Sequence, residues 1–255
     1  MKMVKKILFG LSVIAIAASL TGCIKDDTES AIKGTGKKYS VNYTNDGKSN
    51  YRAYKASGLK HAGGLVKVTF DNDGTPAESK MGVIFGLEER TENKKKLRNF
   101  NIIGVSATGN YYVSTLTDIE DIQAENFGAS TTATTGPREK EWVKLQSGAT
   151  LSTDSATGNK FIYVWYQAKK EGKYDWALLS MTDDVAATWN ATTGAIPTGA
   201  TTLKSGTITG AFTAVDADNK VPQQKISVYA MIQPGKTLAG KWNIVGTYLE
   251  AEDAE

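Results

Sequence analysis

The chain has 255 residues, 40% of them hydrophobic, with 30 Lys and Arg, 27 Asp and Glu, one His and one Cys. Three of the basic residues and none of the acidic ones fall in positions 1–22, so the remainder balances at 27 of each sign. That evenness excludes the basic footprint of a nucleic-acid binder, one cysteine excludes an internal disulfide, and one histidine excludes a His-rich zinc site.

Lys2, Lys5 and Lys6 open the chain, and residues 7–20 are 14 mostly apolar positions. Spanning a bilayer takes about 20, so this run has the length of a cleavable secretory leader. It closes on Leu20-Thr21-Gly22-Cys23, which resembles the bacterial lipobox. The resemblance implies that residues 1–22 are removed and that the Cys23 thiol carries an acyl membrane anchor. A cut after Ala15-Ile16-Ala17 is the alternative, and it would leave a free thiol near an exported N-terminus.

Residues 24–38 are rich in charge, Gly, Ser and Thr, with little to bury, and read as a flexible tether. From Tyr39 the pattern has a period of two. Tyr39, Val41 and Tyr43 share one face, as do Val66, Val68 and Phe70 against Lys67 and Thr69. Asp71-Asn72-Asp73-Gly74 has turn chemistry. The run 81–87 is almost continuously apolar, as in a strand covered on both faces, and 100–105 with 111–116 flank a turn as a hairpin. The basic run 94–98 reads as a solvated loop or strand end. Thr117 and Glu120 fit a capping box, so a short helix is expected over 117–129. Residues 130–137 are loop.

Strands are expected again at 141–145, 161–168 and 174–181, followed by a helical turn capped by Thr182. The low-complexity run 190–202 reads as a long, exposed connection. Strands at 206–215, 225–232 and 241–250 finish the chain. The count is eleven or twelve strands with one or two short helices and no alternation of strand and helix. That predicts an all-β, antiparallel β-sandwich or jelly roll over 39–255 as a single domain. A split in the 130–137 loop is the structural alternative.

Candidate chemistry is sparse. Nothing in the sequence brings His61 beside a nucleophile. Asp71-Asn72-Asp73-Gly74 has its glycine at position four, whereas an EF-hand loop needs it at six. Asp216 and Asp218, with Asn219, could hold calcium together with backbone carbonyls, or could simply form a polar turn. Glu88, Glu89, Asp175 and Asp183 are the carboxylates available for glycosidase-type chemistry, which needs two of them across a cleft. Phe161, Tyr163 and Trp165 share one face of a strand whose other face carries Ile162, Val164 and Tyr166. With Trp176 on the next strand, one face is expected to be core. The other is either more core or a platform of Tyr163, Trp165 and Trp176 for a sugar or peptide.

Taken whole, the chain resembles a spirochaete-type surface lipoprotein with a concanavalin-like jelly-roll domain. The residues behind the resemblance are the leader with its Leu20-Thr21-Gly22-Cys23 end and the segments 82–85, 110–114 and 161–166. It implies an exported protein, lipid-anchored at an outer membrane or cell surface, that binds a glycan or host protein. A polysaccharide-acting enzyme on the same fold, or a structural coat protein, are the rival expectations.

Overall fold

The computed structural model describes residues 24–26, 37–47, 51–71, 79–120, 129–130, 143–144, 146–169, 172–209 and 224–248. Cys23, Asp216 and Asp218 lie outside the described residues, as do 121–128 of the expected helix. The protein is all-β, with two antiparallel sheets packed as a sandwich and one short helix.

The first sheet runs in the order β1 (Ile24–Asp26), β2 (Lys37–Asn45), β15 (Lys236–Tyr248), β4 (Gly63–Phe70), β11 (Lys160–Ala168), β12 (Lys173–Ser180), β13 (Thr201–Thr209). The short β10 (Ser152–Thr153) also pairs with β11. The second sheet runs β3 (Tyr51–His61), β14 (Gln224–Ile232), β5 (Lys80–Glu92), β6 (Lys95–Ser106), β7 (Tyr111–Ile119). A separate parallel pair joins β8 (Ala129–Ser130) to β9 (Val143–Lys144). The helix α1 spans Asp183–Ala187, and Thr182 caps it by accepting from the Val185 amide, as its sequence position predicted.

Alternation builds the core. Val66, Val68 and Phe70 of β4, Ile162, Val164 and Tyr166 of β11, and Trp242 and Ile244 of β15 point inward from the first sheet. They meet Met81, Val83 and Phe85 of β5, Ile103 and Val105 of β6, and Ile226, Val228 and Ala230 of β14. Such side chains contribute about 1.5–3 kcal/mol each on full burial. The outer face of the second sheet is buried too, through Ile84, Leu87, Phe100, Ile102, Tyr112, Leu116, Tyr229 and Met231. This explains the continuous apolar run at 81–87: Met81, Val83 and Phe85 serve the central core, and Ile84 and, past the bulge after Phe85, Leu87 serve the outer cluster.

The structure differs from the expected elements in several places. β3 was not expected, because 51–61 lacks the alternation of a half-buried strand. β7 continues through Ile119, into the segment read as helix. β13 begins at Thr201, five residues before the expected strand. Ile24–Asp26, within the expected tether, pairs with β2 in the register Ile24 to Val41 and Asp26 to Tyr39.

The two ends of the sandwich differ in character. One carries the turns 107–110 and 233–235, the latter tied down by the Gly235 amide donating to the Asn45 carbonyl. At the other end β5 and β6 run on past β14, which stops pairing at Leu87, and form a projecting hairpin over 88–98. Its sides are held by ion pairs: Glu89 with Lys96 and Arg98, both 3.0 Å, Arg90 with Asp118, and Lys95 with Glu120 at 2.8 Å. Cross-strand charge pairing thus extends the strands through what reads as a solvated basic run.

The hairpin turns on Asn93 and Lys94, both at positive φ (50° and 65°). This is the two-residue turn that prefers Asn followed by Gly. A lysine in the left-handed region costs about 1–2 kcal/mol. Lys94→Gly should therefore stabilise the protein by about 1 kcal/mol, seen as a higher denaturant midpoint at unchanged slope. An unchanged or lower midpoint would contradict it.

Candidate functional site

The outward face of β11 is the one expected to be either more core or a platform. Tyr163 and Trp165 do lie on that face, with Leu65, Ala177 and Leu179 beside them, but they are 1% and 7% exposed. Residues 182–200 cross over them as an ordered strap. Val185, Trp189, Ile196 and Ala200 of this strap pack against the cluster of Leu65, Tyr163, Trp165, Ala177 and Leu179 on the outer face of the first sheet. The Trp165 indole N–H donates to the Gly194 carbonyl at 2.8 Å, and the Gln167 amide donates to the Thr193 carbonyl at 3.3 Å.

Two glycines let the strap approach so closely. A Cβ on Gly246 would lie 2.1 Å from the Trp189 ring, and one on Gly194 would lie 2.6 Å from the Tyr248 ring. Within the strap, the Asn190 side chain accepts from the Thr192 and Thr193 amides, so its backbone is satisfied locally. The run 190–200 is irregular and mostly exposed, as expected, but Gly194 and Pro197 are buried and Ile196 packs onto the cluster of Tyr163 and Trp165, so the connection also serves as a cover.

Trp176 points the other way. The register sets it opposite Tyr166 and on the inner face, where it packs beside Tyr111 with ring centroids 6.1 Å apart. The structure therefore divides Tyr163, Trp165 and Trp176 between two layers and buries all three. They do not form one surface.

At the start of the strap the Tyr163 hydroxyl donates to the Asp183 carboxylate, which also binds the Lys67 ammonium at 2.6 Å. Lys67 lies over the Phe161 ring, 4.3 Å from its centroid, with its side chain 16% exposed. A half-buried cation is thereby paired and stacked. Burial and the Asp183 bond push the Tyr163 phenol far above its ordinary range, so it stays protonated and acts as a donor. The Lys67 and then the Tyr163 hydrogen bonds hold the Asp183 carboxyl below the ordinary carboxylate range. Lys67 could have been noticed as the lone cation on an otherwise apolar strand. Its partner 116 residues away could not.

Because the folded carboxyl is the more acidic, its contribution is present above the unfolded pKa and is lost as pH falls through the folded one. Asp183→Asn should cost about 1 kcal/mol or less, the Asp183 side chain being 72% exposed. It should also flatten the fall in melting temperature below about pH 4. An unaltered acid limb would remove Asp183 from that transition.

Of the other candidate carboxylates, Glu89 and Asp175 have separate partners. Glu89 binds Lys96 and Arg98, and Asp175 accepts from Thr207 at 2.6 Å and lies 3.5 Å from Lys169. Glu88 stands on the projecting hairpin opposite Asn99. Among the described residues no group of three or more His, Cys, Asp or Glu is placed to hold a metal ion.

No protein-family model and no curated protein matches the chain. Among solved structures it is similar to an alginate lyase, Aly36B, in complex with alginate tetrasaccharide. That likeness covers 84% of this chain and 82% of the other at 10% identity, with a TM-score of 0.38. It is also similar to the CBM2 module of an evolved Dit protein from Lactobacillus casei BL23 phage J-1. There the cover is 84% and 75%, the identity 12% and the TM-score 0.21.

Proposed function

We propose that the chain is a lipid-anchored binding module: a β-sandwich displayed at an outer membrane or cell surface to engage a glycan or host protein. The observation that carries this reading is the junction at residue 23. A leader with the charge and length of a secretory signal ends on a lipobox-like cysteine, and the first strand of the sandwich begins at the next residue. Acylation there would join the lipid directly to the folded domain. Binding is favoured over bond cleavage because Glu89, Asp175 and Asp183 are each held by their own cation or hydroxyl. Such commitments oppose the free acid and base of a glycosidase.

Detergent-phase partitioning of the full-length protein made in a bacterial host tests the anchor. The wild type should enter the detergent phase and Cys23→Ala the aqueous phase. A Cys23→Ala protein still in the detergent phase would overturn the anchor. The aqueous variant can then be melted against a panel of glycans and matrix proteins. A ligand at 100 times its dissociation constant adds about 2.7 kcal/mol, a readily visible shift.

A further inference from the structure

Resting on that anchor reading, we infer that the sandwich stands on the bilayer by the end carrying the turns 107–110 and 233–235, with the 88–98 hairpin as its membrane-distal tip. The register fixes the direction. Ile24 lies opposite Val41 and Asp26 opposite Tyr39, so the chain enters β1 from the end toward which β2 runs, that of Asn45. Asn45 faces Lys236 in β15, and its side-chain amide donates to the Ile232 carbonyl of β14 at 2.8 Å. On the second sheet the same end holds Lys80 opposite Ser106, beside the 107–110 turn. The Lys160 ammonium of the first sheet reaches the Ala107 carbonyl there at 3.5 Å.

The Cα of Cys23 is bonded within about 3.8 Å of that of Ile24. An acyl chain on Cys23 therefore attaches on the Asn45 side of Ile24, itself four residues, or about 13 Å, from that end of β2.

Charge agrees with the direction. Residues 106–111 and 233–235 contain no ionisable acid or base apart from the Tyr111 phenol, while Asp46, Asp71, Lys160 and Lys236 flank them at the same end. The opposite end concentrates Glu88, Glu89, Arg90, Glu92, Lys94, Lys95, Lys96 and Arg98 within eleven residues, and 88–96 is exposed. Pressing that hairpin into a headgroup boundary would desolvate its ion pairs, whereas the uncharged turns can lie there at little cost. The 13 residues of β5 separate the two ends by about 43 Å at roughly 3.3 Å per residue. The tip is therefore well beyond the reach of the headgroups, and a partner arriving from outside meets it first.

Fluorescence quenching by nitroxide-labelled lipid tests the orientation. The acylated full-length protein is reconstituted in vesicles with one added cysteine, Pro234→Cys, Thr108→Cys or Lys94→Cys, labelled with a fluorophore. Acylated Cys23 has no free thiol, so only the new cysteine takes the label. Strong quenching at positions 234 and 108, with at least a fivefold weaker effect at 94, is the expected result. Equal quenching at all three positions, or quenching strongest at 94, in protein that floats with the vesicles would overturn the orientation while leaving the anchor intact. Protein that fails to float would overturn the anchor, and the orientation with it.

Discussion

Trp165→Ala should lift the strap from the first sheet and cost about 3–5 kcal/mol, the range for deleting a buried large aromatic. Trp165 is 7% exposed, and its indole makes the 2.8 Å bond to the Gly194 carbonyl. Truncation removes the packing and leaves that carbonyl without its donor. Two readouts separate the effects. The melting temperature should fall by several degrees or more, and limited proteolysis should find new cleavage within 190–200. Trp165→Phe, which keeps most of the apolar volume but loses the hydrogen bond, should fall between the two. A Trp165→Ala protein with wild-type melting and an uncut strap would show that the cover is held by its other contacts, such as Trp189 over Gly246.

Gly82→Ala should be more damaging still. Gly82 faces Gly104 across the β5–β6 pair, and an added Cβ would lie 1.8 Å from the Ile103 carbonyl oxygen. The obstruction is backbone, which cannot swing aside as a side-chain end can. Relief requires β5 and β6 to part, and that pair carries both the inner core and the outer cluster of the second sheet. Overpacking commonly costs about 1–3 kcal/mol and sometimes more. Here the loss should exceed 3 kcal/mol, a large share of the roughly 5–15 kcal/mol that holds a domain folded. Denaturant unfolding measures it, and a midpoint equal to that of the wild type would refute the argument.

The fold class was legible because strand periodicity is local. Val66, Val68 and Phe70, or Ile162, Val164 and Tyr166, declare their shared face from sequence alone, and those faces are buried as expected. The capped turn at Thr182 was legible for the same reason. What was not legible depends on register. Whether Trp176 joins Trp165 or Tyr166 is settled by which residues pair across β11 and β12, and the pairing of Tyr166 with Trp176 put it on the inner face.

The strap escaped for a second physical reason. Its sequence, rich in Thr, Gly and Ala, lacks a repeating apolar pattern. It is fixed instead by isolated anchors: Trp189, Ile196, and carbonyls that accept from Trp165 and Gln167. Of the two expectations for this face, core and platform, the strap thereby makes it core. The projecting hairpin was hidden because its strands are stabilised by cross-strand charges and not by hydrophobic alternation.

β2 cannot find its principal partner until almost the whole chain exists. Val41 lies opposite Gly240 and Tyr39 opposite Trp242, so about 200 residues separate the two sides of that ladder. A chain released from its N-terminus exposes β2 long before β15 arrives. The first sheet then closes in a late, non-local step, of the kind that places β-sandwich folding in the millisecond-to-second range. Delayed closure leaves the edge of β2 open until the last strand is made, so the first sheet is completed by the end of the chain.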